Sequence, residues 1–487
     1  MSRKALLPLL ISSAFATAAH AGVDLIANGS ISGAYEDLAR QTAAPLENGV
    51  PGNRLGGLGS GLAYAGGTTF LALPDRGPNA KTYNALVDDT VSYIARFHTF
   101  TFSLSPSDAG SSLPFTLTPT LRGTTLLSSA TPLVYGQGLG YRIDGATPLG
   151  SGAPALNPMR HTHYFTGRSD NFDPLRSSAN PADARLDPEG IRVSSDGESV
   201  FVCDEYGPYV YEFERSTGRR VRSFTLPANL AITKLSAQKD VEIASNTTGR
   251  VTNKGMEGLA ITPDGRMLVG IMQANLEQDK KGSLRIITID IHSGTVHEYA
   301  YKLTDGSGVS EILAINNHEF LVDERDGNGM GDTPALTDTA SAAKVKKLYV
   351  IDLAGAQDVT SLSGDLSAFA VTKNATPFLD VVAKLTAAGI DARLIPSKIE
   401  GIAFGQDVSI NGVVKHTLYV ASDNDFLATV ADPLKLPGDP TRKSVAHPSQ
   451  FYVFSFDDQD LARYMPQRFN DDHDRDHERE DHGDWGR

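Results

Sequence analysis

The sequence predicts an all-β chain, a β-propeller with five recognisable blades (six or seven fit the length), long inserted loops and one short inserted helix. Three observations predict it. One hairpin-like unit recurs five times, its apolar positions keep a common register, and 46 Gly and 26 Pro are spread along 487 residues, a turn density that suits many short strands.

From the N-terminus, Arg3 and Lys4 precede an apolar run, Ala5 to Ala19, and the small residues Ala19-His20-Ala21. That order is expected for a secretory signal peptide over residues 1–21, cleaved near Ala21. The run is shorter than the roughly 20 residues that span a bilayer. The expected location is therefore periplasmic or secreted, without membrane insertion. Gly22 to Ser32 is expected to supply a strand that closes the ring beside the last blade.

The first copy of the unit, Ser60-Gly61-Leu62-Ala63-Tyr64, turns at Gly66-Gly67 and ends at Asp75-Arg76. Between Thr82 and Asp183 lies material for a further blade that the pattern does not phase, and Pro154 to Pro181 reads as a long loop near the channel mouth. The second copy runs from Asp187-Pro188-Glu189-Gly190 through Asp196-Gly197 to Asp204-Glu205, and the third from Met256-Glu257-Gly258 through Asp264-Gly265 to Gln273. The fourth starts at Ser310-Glu311-Ile312, turns at Asn316-Asn317 and ends at Asp323-Glu324-Arg325. Leu379 to Gly389 reads as the inserted helix. The fifth copy, Lys398-Ile399-Glu400-Gly401, turns at Asn411-Gly412 and ends at Asp423-Asn424-Asp425. Counted from the leading Glu, positions two and four residues on are apolar: Ile191 and Val193, Leu259 and Ile261, Leu313 and Ile315, Ile402 and Phe404. Period-two geometry assigns them to one buried face. The domain is expected over residues 22–458. Residues 459–487 read as an acidic, His-containing tail that is disordered by composition.

Loss of Arg3 and Lys4 takes the formal charge from −14 to −16, which disfavours nucleic acid and anionic membranes as partners. A small-molecule ester or phosphate ester and a monomeric state are expected instead. Cys203 is the single cysteine, so no intramolecular disulfide forms and stability rests on the core.

A hairpin brings the start of its first strand and the end of its second to one edge. If the first strands line the channel, Glu189, Glu257, Glu311 and Glu400 form a ring at one mouth, with Ser60 in the equivalent place, and Asp75, Asp204, Asp323 and Asp423 an outer ring. Carboxylates in a low-dielectric funnel raise one another's pKa. A hard cation relieves this, and oxygen-only ligands suit calcium. The alternative is that each Glu is a structural peg accepting backbone N–H groups. Asp323 to Asp332 is dense enough in oxygen ligands for a second calcium loop, though it lacks the EF-hand spacing, and His161 and His163 form an isolated His-x-His. No Gly-x-Ser-x-Gly elbow and no His-Glu-x-x-His helix occurs, which points any hydrolysis towards metal-activated water.

The segments Leu73-Pro74-Asp75-Arg76-Gly77-Pro78-Asn79, Asp187-Pro188-Glu189-Gly190, Asp204-Glu205-Tyr206-Gly207-Pro208, Asn253-Lys254-Gly255-Met256-Glu257-Gly258, Glu324-Arg325-Asp326 and Lys398-Ile399-Glu400-Gly401 together resemble the "esterase-like activity of phytase" family, in order, from about Gly56 to Phe456. The resemblance implies a secreted propeller with phosphate-ester or carboxylic-ester hydrolysis. On the first reading, ring acids hold calcium, Glu257 and Glu400 act at the reacting centre, and Arg76 and Arg325 neutralise phosphoryl oxygens; the alternative for both arginines is salt bridging to their neighbours. A second reading is a carboxylic-ester or lactone hydrolase with one channel calcium and a ring carboxylate as general base. A third is a non-enzymatic propeller that binds a ligand or partner at its mouth.

Overall fold

Each repeat folds as the innermost hairpin of an antiparallel blade of four strands, or five in blades 4 and 5, because its alternating apolar residues can be buried only against the next blade. The computed structural model describes residues 22–79, 82–88 and 90–469; the expected signal peptide and the tail beyond 469 lie outside these.

The inner hairpins are Gly61–Tyr64 with Thr69–Leu73 in blade 1, Pro188–Val193 with Ser199–Asp204 in blade 2, and Met256–Ile261 with Met267–Met272 in blade 3. Gly308–Ala314 with Glu319–Arg325 opens blade 4, and Lys398–Phe404 with Val413–Asp423 opens blade 5. The five innermost strands touch in order, and the fifth touches the first, so the ring is closed. Closure follows the expected route: Asp24–Ile31 pairs antiparallel with Ser449–Phe456 and becomes the outer strand of blade 5.

The segment expected to hold a further blade supplies instead the long outer strands of blade 1, Arg96–Pro106 and Phe115–Leu126. Beyond them the chain is mostly loop up to blade 2. The inserted helix is present as Val381–Ala387, with Asp380 capping its N-terminus through Ala383 N–H.

Core packing corrects the register of blade 4. Ile191 and Val193 face blade 1, and Leu259 and Ile261 face blade 2, as the repeat requires. In blade 4 the equivalent pair is Ile312 and Ala314, packed with Ala260 and Val269 of blade 3; Leu313 and Ile315 lie on the opposite face with Ile402 and Phe404. The fourth copy is therefore displaced by one residue from the alignment anchored on its Glu.

Residues 459–469, assigned by composition to the tail, run across the channel end remote from the acids. Met465 donates N–H to Ile315 O at 2.8 Å, Gln467 Nε2 donates to Val193 O at 2.9 Å, and Phe469 packs on Tyr64. Among the described residues no helix is long and apolar enough to cross a membrane.

Candidate functional site

The inner strands of blades 2 to 5 begin with a β-bulge, in which one residue is left unpaired and turned out of the ladder. The bulged residue is Glu189 in blade 2, Glu257 in blade 3, Ser310 in blade 4 and Glu400 in blade 5. The next residue is glycine in every blade but the fourth, because the inner strands meet closely at the axis. A Cβ at Gly190 would lie 2.7 Å from Leu259 N, and one at Gly258 2.7 Å from the Cα of Glu311.

Glu311 thus occupies the glycine position, one step inward from the mouth. Its Oε1 accepts Leu259 N–H at 3.0 Å and its Oε2 lies 3.0 Å from Arg192 Nη2. Arg192 also donates to the carbonyls of Leu62 and Ile312, so the pair fills the channel between blades.

At the same edge, the second strands end in Arg325 and Asp423 or lead directly into Asp75, Glu205 and Gln273. Glu205 N–H donates to Asp187 O at 3.0 Å and Gln273 N–H to Gly255 O at 2.9 Å, while Arg325 pairs with Gly308 and Asp423 with Lys398. These residues gather into two oxygen clusters and a bridge. Asp187, Glu189 and Glu205 each place an oxygen within 4.8 Å of the others, as do Asp75, Asp423 and Asp425. Arg325 bridges Glu257, at 3.4 Å, and Glu400. Arg76 pairs with Asp187 and lies 3.9 Å from Glu205, and Lys398 Nζ lies 2.8 Å from Asp423 and 2.6 Å from Asp425.

Burial dominates the electrostatics. It pushes Glu189 and Glu257 well above the usual carboxylate range, with Glu257 adding to the first and Glu205 to the second. Glu205 is raised by burial and then by Asp187, and its carboxyl lies against that of Glu257. Asp75 is raised by burial and by Asp423, and Asp423 reaches about 7 through burial despite Lys398. One oxygen stands out: Glu257 Oε2 is buried without a donor, beside the carboxyls of Glu189 and Glu205.

The mouth therefore brings together Asp75, Glu189, Glu257, Glu400 and Asp423 of the expected rings, with Arg76 and Arg325 beside them. Three expected members lie elsewhere. Asp204 accepts the N–H groups of Asp187 and Gly207 at 2.6 and 2.7 Å and pegs the turn, Asp323 accepts the Ser310 hydroxyl at 3.1 Å inside the blade, and Glu311 is in the channel. In their places stand Glu205, Arg325 and Ser310. The rings read from the sequence omit Asp187, Asp425 and Lys398; counting from the bulge and the glycine that follows it in blades 2, 3 and 5, rather than from the nearest acid, finds Asp187 and Lys398 as the partners of Glu205 and Asp423. In the Asp323–Asp332 loop an ammonium takes the cation's place: Lys346 Nζ donates to Asp326 O at 2.6 Å and Asp326 Oδ1 at 2.7 Å. Neither cluster includes a histidine, His161 and His163 among them. The long loop does reach the mouth, where Tyr206 OH donates to Gly167 O at 3.0 Å.

Burial also raises carboxyls behind the mouth, Asp204 and Asp323 to about 7 and Glu311 to about 8. Their folded pKa values exceed the unfolded ones, so the folded state binds more protons and stability falls as pH rises from about 4 to about 8. Exposed acids held low by local hydrogen bonds, such as Asp144 at about 2, titrate below this window. Calcium-free protein should thus unfold at a higher temperature at pH 5 than at pH 8, measured by calorimetry in chelator; the reverse order would mean these acids are ionised in the folded state.

The family described as "Phytase-like: Esterase-like activity of phytase" matches residues 53–426. The chain belongs to the phytase-like family. A curated relative, an uncharacterized secreted protein of Arthroderma benhamiae, is 33% identical over 182 residues, covering 29% of this phytase-like chain and 35% of the relative's own length. Solved structures with a similar chain course include a luciferin-regenerating enzyme, with 11% identity, 87% of this chain and 95% of that one covered and a TM-score of 0.31. Another is hydrazine synthase of Kuenenia stuttgartiensis, with 11% identity, 76% and 78% covered and a TM-score of 0.27. Likenesses this distant carry no statement about the chemistry of the phytase-like mouth.

Proposed function

We propose that this phytase-like protein is an exported, calcium-dependent hydrolase that cleaves phosphate monoesters at the acidic mouth. The observation that carries the reading is the buried, donorless Oε2 of Glu257 beside the oxygen cluster of Asp187, Glu189 and Glu205. A peg would accept N–H groups, as Asp204 does; an unpaired buried carboxylate is costly unless a cation or proton joins it. The donor set fits calcium, since Asp187, Glu189, Glu205 and Glu257 offer only oxygens. Bound there, calcium supplies Lewis-acid polarisation of the phosphate and cancels the repulsion among these acids.

The chain's own groups supply the rest. Arg325 is held by Glu257 and Glu400 with its Nε buried and unpaired, and Arg76 is held by Asp187, so both guanidinium groups are fixed in place to meet anionic oxygens. That local positive charge is what an anionic substrate needs in a chain of formal charge −14. Glu257, pushed up by burial and by Glu205 beside it, is suited to hold a proton for transfer to or from a reacting oxygen. The name of the A. benhamiae relative supports export.

The test is phosphate release from phytate and nitrophenyl phosphate by residues 22–487, beside hydrolysis of nitrophenyl acetate, with calcium and with chelator. Calcium-dependent phosphate release is expected. Acetate hydrolysis without phosphate release would replace the reading with a carboxylic-ester hydrolase, and no turnover by folded protein would replace it with a binding module.

A further inference from the structure

The two oxygen clusters at the mouth differ in how their charge is met. In the cluster of Asp75, Asp423 and Asp425, Lys398 Nζ lies 2.8 Å from Asp423 Oδ2 and 2.6 Å from Asp425 Oδ1. An ammonium is a compact point charge with three donors, and it touches two of the three carboxylates much as an ion would. The backbone is shaped for this contact: Asp425 and Phe426 adopt φ of 49° and 55°, a left-handed turn uncommon outside glycine, and Asp425 N–H donates back to Asp423 Oδ1 at 2.7 Å. Burial pushes the Asp425 carboxyl up, yet Lys398 overrides it and holds the group below its usual range.

Around Asp187, Glu189 and Glu205 the resident cation is a guanidinium. Its plane engages Asp187 at one edge, stands 3.9 Å from Glu205 and forms no ion pair with Glu189. Here Glu257 Oε2, buried and without a donor, stands beside the carboxyls of Glu189 and Glu205.

We propose that the mouth takes a single divalent cation, at Asp187, Glu189 and Glu205, because the Lys398 ammonium permanently fills the second cluster, Asp75, Asp423 and Asp425. The inference rests on the calcium reading for the first cluster and adds the cation count and the residue that sets it. Removing the ammonium frees a second oxygen-only site, so Lys398→Met, which keeps the length of the stem, converts a one-cation mouth into a two-cation mouth.

Calcium titration of residues 22–487 by isothermal calorimetry, with the count checked by native mass spectrometry, decides it. One ion is expected in the parent, two in Lys398→Met and one in Lys398→Arg, with circular dichroism confirming the fold of each. Two ions in the parent would overturn the proposal whatever the variants do, as would one ion in a folded Lys398→Met. If Lys398→Met does not fold, two ions in Lys398→Arg overturn it equally. No ion in the parent but one in Lys398→Met would sink calcium at the Asp187 cluster while leaving Lys398 as the occupant of its own.

Discussion

Glu257→Gln is expected to lower calcium-dependent phosphate release by about 10²- to 10⁴-fold, the usual worth of a positioned acid or base, while leaving the calcium-free protein at least as stable as the parent. Both parts follow from the surroundings of one side chain. Glu257 Oε1 accepts Gln273 Nε2 at 2.7 Å and faces Arg325 at 3.4 Å, whereas Oε2 is buried without a donor and lies against Glu205. Glutamine keeps the shape and the Oε1 acceptor, and its amide donates permanently to Glu205, so a proton held there at the cost of a raised pKa is replaced by a fixed N–H. The calcium-free mouth loses a like charge and gains a hydrogen bond. The transferable proton and one oxygen ligand disappear together. Calcium at 100 times its Kd should stabilise the parent by about 2.7 kcal/mol, and the variant by less. Initial rates and thermal unfolding, each with calcium and with chelator, separate the roles: an unchanged rate removes Glu257 from proton transfer, and a calcium-free variant less stable than the parent makes the carboxylate a peg.

The legible and illegible parts of the molecule divide along a physical line. The inner hairpins are readable because each is local and half-buried, with period-two alternation closed by a turn such as Asp196-Gly197, where Gly197 takes φ of 73°. The closing strand Asp24–Ile31 is readable as a strand although its partner, Ser449–Phe456, lies at the far end of the fold. The outer strands of blade 1 are not, because Arg96–Pro106 and Phe115–Leu126 are separated from their hairpin by a loop and alternate weakly, with Thr on both faces. At the site, the chemistry of the mouth is legible and its register is not. A bulge inserts one residue that period-two counting does not see, so an alignment anchored on acids assigns Glu311 to the place of Ser310 and Asp204 to that of Glu205. The glycine after the bulge is the better anchor, since its absent side chain is dictated by the neighbouring strand. In blade 4 even that mark is missing, and the shift shows in the pairing of Glu311 with Asp323 and in the packing of Ile312 and Ala314 against blade 3.

That exception carries the largest expected effect on stability. Above pH 8, where Glu311 is ionised, Glu311→Ala should destabilise the fold by about 3–5 kcal/mol, the usual result of removing one partner of a buried ion pair. Arg192 is 3% exposed and Glu311 fully buried, so no solvent is at hand to solvate the guanidinium left behind. The loss reaches four blades. Glu311 accepts the amide of Leu259 in blade 3, and Arg192 of blade 2 donates to Ile312 O in blade 4 as well as to Leu62 O in blade 1. Glu311→Gln should cost less than alanine, because the amide oxygen still accepts Leu259 N–H and only the charge is lost. Arg192→Met combined with Glu311→Leu removes the uncompensated charge but strands the carbonyls of Leu62 and Ile312, so it should fall between the parent and Glu311→Ala rather than match the parent. Denaturant unfolding of the four proteins gives the order directly. Equal midpoints for Glu311→Ala and the parent would show that water or a rearranged Arg192 reaches the axis, and the channel would then be open rather than plugged at the level of the glycines.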